Sequence, residues 1–563
     1  MTIHKMKAAT FESATYSEWK EVAEQSLRGM PFDRLITKTA EGIDLQPLYT
    51  GEQDGITETI ASIRGEKQQA GWIIAQQQYA KDAKTFVVEL KESLERGNEA
   101  IVYTGTTQLE WDEQSLATVA SLLTSYPIFL TDTIGNDPLL QVFDLVPKEE
   151  RILVRGAVSL SSGELPDGFL NIRTVCADVR GVHYKGADAV TELALAIAEA
   201  AESATDLDTF AELSERFFVR FAVDTHFFME IAKTRAFRVL WKALGTSFGE
   251  SDTAHVPILS DTSLRSYSKL DPYVNLLRAG NEAFSAVLGG ADVITVHPHD
   301  VLTGVNPASI RYARNVQLVI KEETLVNKVI DPAGGSAFVE TLTKELVEKA
   351  WKLFVEIDAA GGYKAYVASD DFQKRLKERR IVHAEGASKG TKSLVGTNVY
   401  ADLSTSALET QGGIEVEGRF AEPFEKLRGH FSEQQPSTVL VTFGELKEFK
   451  PRVDFVNGFL ATGGIHSKVS PAFTSATEAI EWLEIERPDY VIVCATNPMT
   501  EAIIEELLAG LPEGIILDVA GKYEAELSDK WLGIGLNGFI FNGQDKIAKL
   551  NDIKNSGKGD GEQ

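Results

Sequence analysis

At 563 residues and a formal net charge of −27 (56 Lys and Arg against 83 Asp and Glu), the chain is too long for one ordinary domain and too acidic to favour a nucleic-acid partner. It has no run of about 18 apolar residues and no apolar core in its N-terminus, which argues against a membrane span and against export. Its two cysteines, Cys176 and Cys494, lie in apolar strand-like runs; no disulfide framework or metal spacing follows, and the cytoplasm is the expected compartment.

Residues 1–39 read as a helical arm. The stretch SEWKEVAEQSL at 17–27 repeats apolar residues at helical spacing until Gly29 and Pro31 stop it. Trp19, Val22 and Leu27 then share a face that either the chain's own body or a partner subunit must cover. From 40 to 384, strand-like runs at 100–103, 127–130, 152–154, 171–176, 256–259 and 293–296 alternate with helical stretches at 186–203 and 209–241. Alternation of this length predicts parallel βα units in a (β/α)8 TIM-type barrel, with a doubly wound open sheet as the alternative. Residues 385–436, rich in Gly, Ser and Thr, read as a linker. Five more runs at 438–443, 468–472, 490–494, 514–519 and 538–541 predict a flavodoxin-like doubly wound domain over 437–554. The end, 555–563, has no apolar residue beyond glycine and is expected to be disordered.

Three blocks carry a resemblance. They are FFMEIAKTRAFRVLW at 227–241, LDPYVNLLR at 270–278 followed by LGG at 288–290, and ARNVQLVIKEETLVNKVIDPAGGSAFVE at 313–340; EIDAAGGY at 356–363 extends them. Together they resemble the methylmalonyl-CoA mutase family of cobalamin-dependent radical enzymes. Each also has an ordinary reading. The first block places Phe228, Ile231, Ala232, Arg235 and Val239 on one helical face, and Pro332 with Gly334-Gly335 supplies a tight turn.

The resemblance implies a loop after the strand at 438–443 that carries Asp-x-His-x-x-Gly, whose His is the lower ligand to cobalt. Counted from Gly444, the Asp, His and Gly positions hold Leu446, Glu448 and Pro451. Leu offers no donor, a carboxylate is a poor substitute for imidazole, and proline removes both an N–H and the room glycine leaves. The turns against the corrin tail correspond to Ala495-Thr496-Asn497-Pro498 and Ala520-Gly521-Lys522-Tyr523. Active members also carry Tyr-His ahead of Met-Gln-Glu-Ala-Gly-Ala, the His donating to the thioester carbonyl. Those two positions are Arg180 and Gly181 here, with His183 two residues on and, on a strand, facing the same way. A substrate-contacting Tyr falls at Gln77 if Trp72 is the anchor, with Tyr79 nearby. The region between about 100 and 170 is also shorter than in an active subunit.

These departures imply a small subunit with no catalytic, cofactor-binding or metal-binding residue of its own. The expected partner is a catalytic large subunit that holds adenosylcobalamin and the acyl-CoA, and the segment RFAEPFEKLR at 419–428 resembles the small subunit's linker. The rival expectation is an active acyl-CoA mutase that binds cobalamin without a protein His; a blander one is a free-standing regulatory or assembly protein. His297-Pro298-His299-Asp300 suggests a metal without fixing a third ligand, and His226 reads as a helix cap or core histidine. No Walker loop, nucleophile elbow or HExxH occurs.

Overall fold

The computed structural model describes residues 14–50, 56–67, 69–105, 109–133, 137–160, 164–207, 209–250, 253–404 and 412–556. The chain is a mixed α/β protein built on parallel sheets, preceded by a small antiparallel pair, β1 (Thr37–Lys38) and β2 (Asp44–Leu45). The strands that follow are β3 (Ile73–Ala75), β4 (Ile101–Thr104), β5 (Ile128–Thr133), β6 (Arg155–Leu160), β7 (Asn171–Arg173), β8 (Val175–Asp178), β9 (Phe217–Val223), β10 (Ile258–Thr262) and β11 (Val293–Thr295).

One sheet has the order β3-β11-β10-β9-β8 and another the order β4-β5-β6-β7, every pair parallel. A parallel bridge between Gln77 and Val102 links the β3 edge to β4. At the other edge only Thr174 separates β7 from β8, and its N–H donates to the Arg216 carbonyl, 2.9 Å. Several of the long helices start at a side-chain cap. Asp188 caps Ala189–Thr205, Asn306 caps Pro307–Glu323 and Ser336 caps Ala337–Ala359, each side chain accepting a first-turn N–H. Apolar side chains from both sheets, Ala75, Val102, Phe129, Ala157, Phe218 and Leu259 among them, form one buried cluster.

The last sheet contains β12 (Thr438–Phe443), β13 (Ser467–Phe473), β14 (Tyr490–Cys494), β15 (Ile516–Ala520) and β16 (Gly538–Ile540), in the order β13-β12-β14-β15-β16, all parallel. Alternate residues of β12 serve two cores: Val439, Val441 and Phe443 on one face, Leu440 on the other. Burial on both faces explains why the inner strands β12, β14 and β15 read as largely apolar runs, while the edge strand β13 is mostly exposed.

Several expectations are corrected. Residues 152–154 are not a strand: Lys148–Leu153 is a 3-10 helix entered through Pro147, and β6 begins at Arg155. The stretch 209–241 is not one helix. Its aromatic and β-branched centre forms β9, between the helices Phe210–Arg216 and Phe227–Ser247. The residues expected as linker contain the helix Glu422–Glu433, and Asp370–Lys389 runs across their start. The last helix, Lys546–Ser556, takes in the first two residues of the expected tail; 557–563 lie outside the described residues, as do 1–13 of the arm.

Candidate functional site

The carboxyl ends of β8, β9 and β10 bring four charges together. Asp178 closes β8, Arg180 opens the short helix Arg180–Tyr184, Arg220 sits in the otherwise apolar FFVRFAV of β9, and Asp261 lies near the end of β10. Each arginine reaches both acids. Arg180 contacts Asp178 and Asp261 at 2.7 Å each, and Arg220 contacts the same carboxylates at 2.9 and 3.1 Å. The Arg220 side chain is only 5% exposed. Burial opposes a charged Asp178, but Arg180 and Arg220 outweigh it and hold its carboxyl well below the usual carboxylate range. The balance is the same at Asp261, where burial is again overcome by Arg180 and then Arg220. Beside the quartet, Gln77, Thr104, Thr131 and Thr295 surround a space of about 20 Å³. That is room for a single water.

Gln77 donates to Thr104 Oγ1 at 3.4 Å and so spans two strands. Tyr79 bonds His297 Nδ1 through its hydroxyl, 2.9 Å, and the Trp72 indole donates to Gln317, 3.1 Å. Burial pushes His297 down to about 4; Asp261 opposes this, and Arg180 and Arg220 add to it. His299 is stacked between Tyr273 and Tyr312, with ring centroids 5.1 and 6.2 Å away, and Asp300 accepts from Asn306. The two histidines therefore face different neighbours. Among the described residues no group of three or more His, Cys, Asp or Glu could hold a metal ion. His226 is exposed at the start of Phe227–Ser247 and makes no side-chain cap bond, so it is neither the polar cap nor the core residue expected.

His183 was expected on a strand and instead lies in the helix Arg180–Tyr184, fully buried. Its Nδ1 meets Glu192 and its Nε2 meets Ser263 Oγ, both at 2.7 Å. Glu192 in turn accepts from Lys233, 2.8 Å. Burial, then Arg265, pushes His183 down to about 4 against the pull of Glu192. Both of its ring nitrogens are engaged in this network, while Gly181 contributes no side chain.

At the last sheet the expected loop is short. Gly444, at φ +86°, and Glu445 connect β12 to a helix that begins at Leu446 and runs to Gly463. Leu446 is 64% exposed. Glu448 accepts the Glu445 N–H at 2.8 Å in a capping box, and Pro451 stands inside the helix. The neighbouring Arg452 spans the ends of β14 and β15: it donates to the Ala520 carbonyl at 2.7 Å, to Tyr523 at 3.0 Å, and to Asn497. With no imidazole present, with the carboxylate engaged in capping, and with a guanidinium lying over the strand ends, these residues do not fit a cobalt lower ligand. Sequence reading identified the substituted positions but missed Asp178, Arg220, Asp261 and Arg452. A lone Arg inside FFVRFAV was the available signal, since a charge in a buried strand needs a partner.

The family model described as methylmalonyl-CoA mutase matches residues 146–490. A Mycobacterium bovis protein named probable methylmalonyl-CoA mutase small subunit is 32% identical over 401 residues, covering 68% of this chain and 64% of that protein, so the match spans under two thirds of its length. The methylmalonyl-CoA mutase small subunit of Porphyromonas gingivalis is 27% identical, covering 86% of this chain and 88% of its own. That of Propionibacterium freudenreichii subsp. shermanii is 26% identical, covering 96% and 95%. A solved structure of Leishmania donovani UMP synthase matches at 11% identity, covering 88% of this chain and 95% of that one, with a TM-score of 0.22, too low to inform the fold.

Proposed function

This chain belongs to the methylmalonyl-CoA mutase family, and we propose that it is the small, non-catalytic subunit of a heterodimeric adenosylcobalamin-dependent mutase. In this reading the complex interconverts methylmalonyl-CoA and succinyl-CoA in the cytoplasm. The large subunit holds the cofactor and the acyl-CoA, and this chain stabilises it. The two strand sets that meet through Gln77–Val102 and across Thr174 are then one (β/α)8 barrel, and the last sheet, whose strands run second-first-third-fourth-fifth, is the flavodoxin-like partner of that barrel.

One observation carries the reading. The carboxyl ends of barrel strands are where such folds place their chemistry, and here that position is occupied by Asp178, Arg180, Arg220 and Asp261 locked to one another, with about 20 Å³ to spare. A thioester cannot enter unless that network is dismantled. The names of the relatives support the subunit assignment.

The test is to record the visible spectrum of adenosylcobalamin with the purified chain, with the large subunit and with both, while following turnover and elution volume. Co-elution of the two chains is expected, with cofactor binding and turnover requiring the large subunit. Cobalamin bound and acyl-CoA turned over by this chain alone would establish the rival, an active mutase without a protein His ligand.

A further inference from the structure

The helix Pro272–Gly289 contains two charged residues, Arg278 and Glu282, and buries both. What it turns to solvent is uncharged: Tyr273 is 71% exposed and Leu277 72%, and Leu276, Gly280, Asn281 and Phe284 are partly exposed beside them. In a chain whose residues are 25% charged, a solvated helix face is expected to carry charge, as Asp370–Lys389 does with Lys374, Lys377 and Glu378.

The helix Pro307–Glu323 packs beside it. Leu276, Gly280 and Phe284 of the first helix and Tyr312, Val316 and Val319 of the second line an open groove of about 470 Å³. His299, buried between Tyr273 and Tyr312, stacks on both rings. Arg311 stands over the Tyr312 ring at 5.4 Å, and the only acids of that second helix, Glu322 and Glu323, are at its C-terminal end. An 18-residue helix is about 27 Å long and packed helices lie about 10 Å apart, so the two-helix face covers roughly 500 Å². That is toward the upper end of what a monomer leaves apolar. Aromatic enrichment with loss of charge marks the centre of a subunit contact.

A second copy of this chain is a poor occupant, because two bodies of net charge −27 would be brought rim to rim. We propose that the catalytic large subunit docks on this face, laying an apolar helical ridge in the groove and setting a carboxylate against Arg311. This rests on the subunit reading above, in which a permanent partner must cover an apolar face of this chain. Tyr273, Leu277 and Tyr312 are its anchors, and Gly280 leaves room for the ridge to approach the backbone.

A Cβ added at Gly280 meets nothing within 4 Å and its backbone is helical, so Gly280→Arg fills the groove without disturbing the free chain. Isothermal titration of the full chain and its variants with the purified large subunit tests the proposal, with a thermal melt of each variant as the check on folding. Gly280→Arg and Leu277→Asp should melt with the parent and bind the large subunit about a hundredfold more weakly, and Arg311→Glu about tenfold more weakly. Folded variants that bind within threefold of a binding parent would overturn the docking face and leave the subunit reading standing. A parent chain that does not bind the large subunit at all would overturn the subunit reading, and this proposal with it. Self-association of the chain alone, abolished by Gly280→Arg in sedimentation, would assign the face to a second copy and overturn the proposal too.

Discussion

The carboxyl ends of β8 to β10 and those of β12 to β15 occupy equivalent places in two parallel sheets, yet they are closed by different means. The first are closed by charge: two arginines and two carboxylates, each contacting both of its opposites, largely buried and with space beside them for one water. The second are closed by backbone and one side chain: a helix starting two residues after Gly444, and Arg452 laid across β14 and β15. The first closure is interdependent, because removing any one member strands a buried charge. The second is modular, because Leu446 and Glu448 face solvent and act locally. Interdependence should make the first site intolerant of single changes; modularity should make the second nearly indifferent to them.

The largest expected effect follows from breaking the quartet. Asp261→Ala leaves Arg180 and Arg220 sharing one carboxylate and should cost about 3–5 kcal/mol, read as a shift in the urea unfolding midpoint. A milder result, near that of a surface ion pair, would mean the quartet is solvated and the contrast between the two sites is wrong.

Next comes acid. His183 is held at about 4, below the ordinary histidine value of about 6.5, so the folded state resists a proton that the unfolded state accepts. Its contribution is complete above about pH 6.5 and is lost as pH falls through the window down to about 4, up to about 3 kcal/mol in all. The depressed Asp178 and Asp261 act later: their stabilisation is present above about 3.9 and is lost as pH falls below that toward their lowered values. Urea midpoints measured from pH 7 to 3 should show both stages. His297 and His383 are also held below the ordinary histidine value and titrate across the same window, so His183→Gln should shrink the earlier stage without removing it and leave the later one.

Arg452→Ala should cost about 1–2 kcal/mol, since it removes hydrogen bonds made by a half-buried cation without stranding an opposite charge. Its cleanest reading is a urea transition that shifts with unchanged slope. Smallest of all, Leu446→Asp should stay within about 0.5 kcal/mol of the parent in the same assay. A loss above 2 kcal/mol at Leu446 would remove the distinction drawn between the two sites.

The inner parallel strands of the last sheet were legible because double-sided burial leaves largely apolar runs. β9 was not, because FFVRFAV between two helical patterns reads as a continuation of either helix; only its pairing with β8 and β10 makes it a strand. The family resemblance pointed to Arg180, Leu446 and Glu448 as substitutions, one position at a time. What those positions gained was only partly visible: Asp178 lies two residues from Arg180, but its other partner, Asp261, lies 81 residues on, in β10. The Arg452 crossing is hidden for the same reason: its acceptors come from Asn497, Ala520 and Tyr523.

The helix Tyr16–Ser26 buries none of its residues, although Thr15 and Glu18 close it with a reciprocal cap. An isolated helix of eleven residues is marginal in water, so its coil and helix forms lie close in free energy whatever happens in the core. Its amides are therefore the ones to exchange with deuterated solvent first, on a clock independent of the rest of the chain. Slowing of that exchange on addition of another protein would report contact with the arm residue by residue.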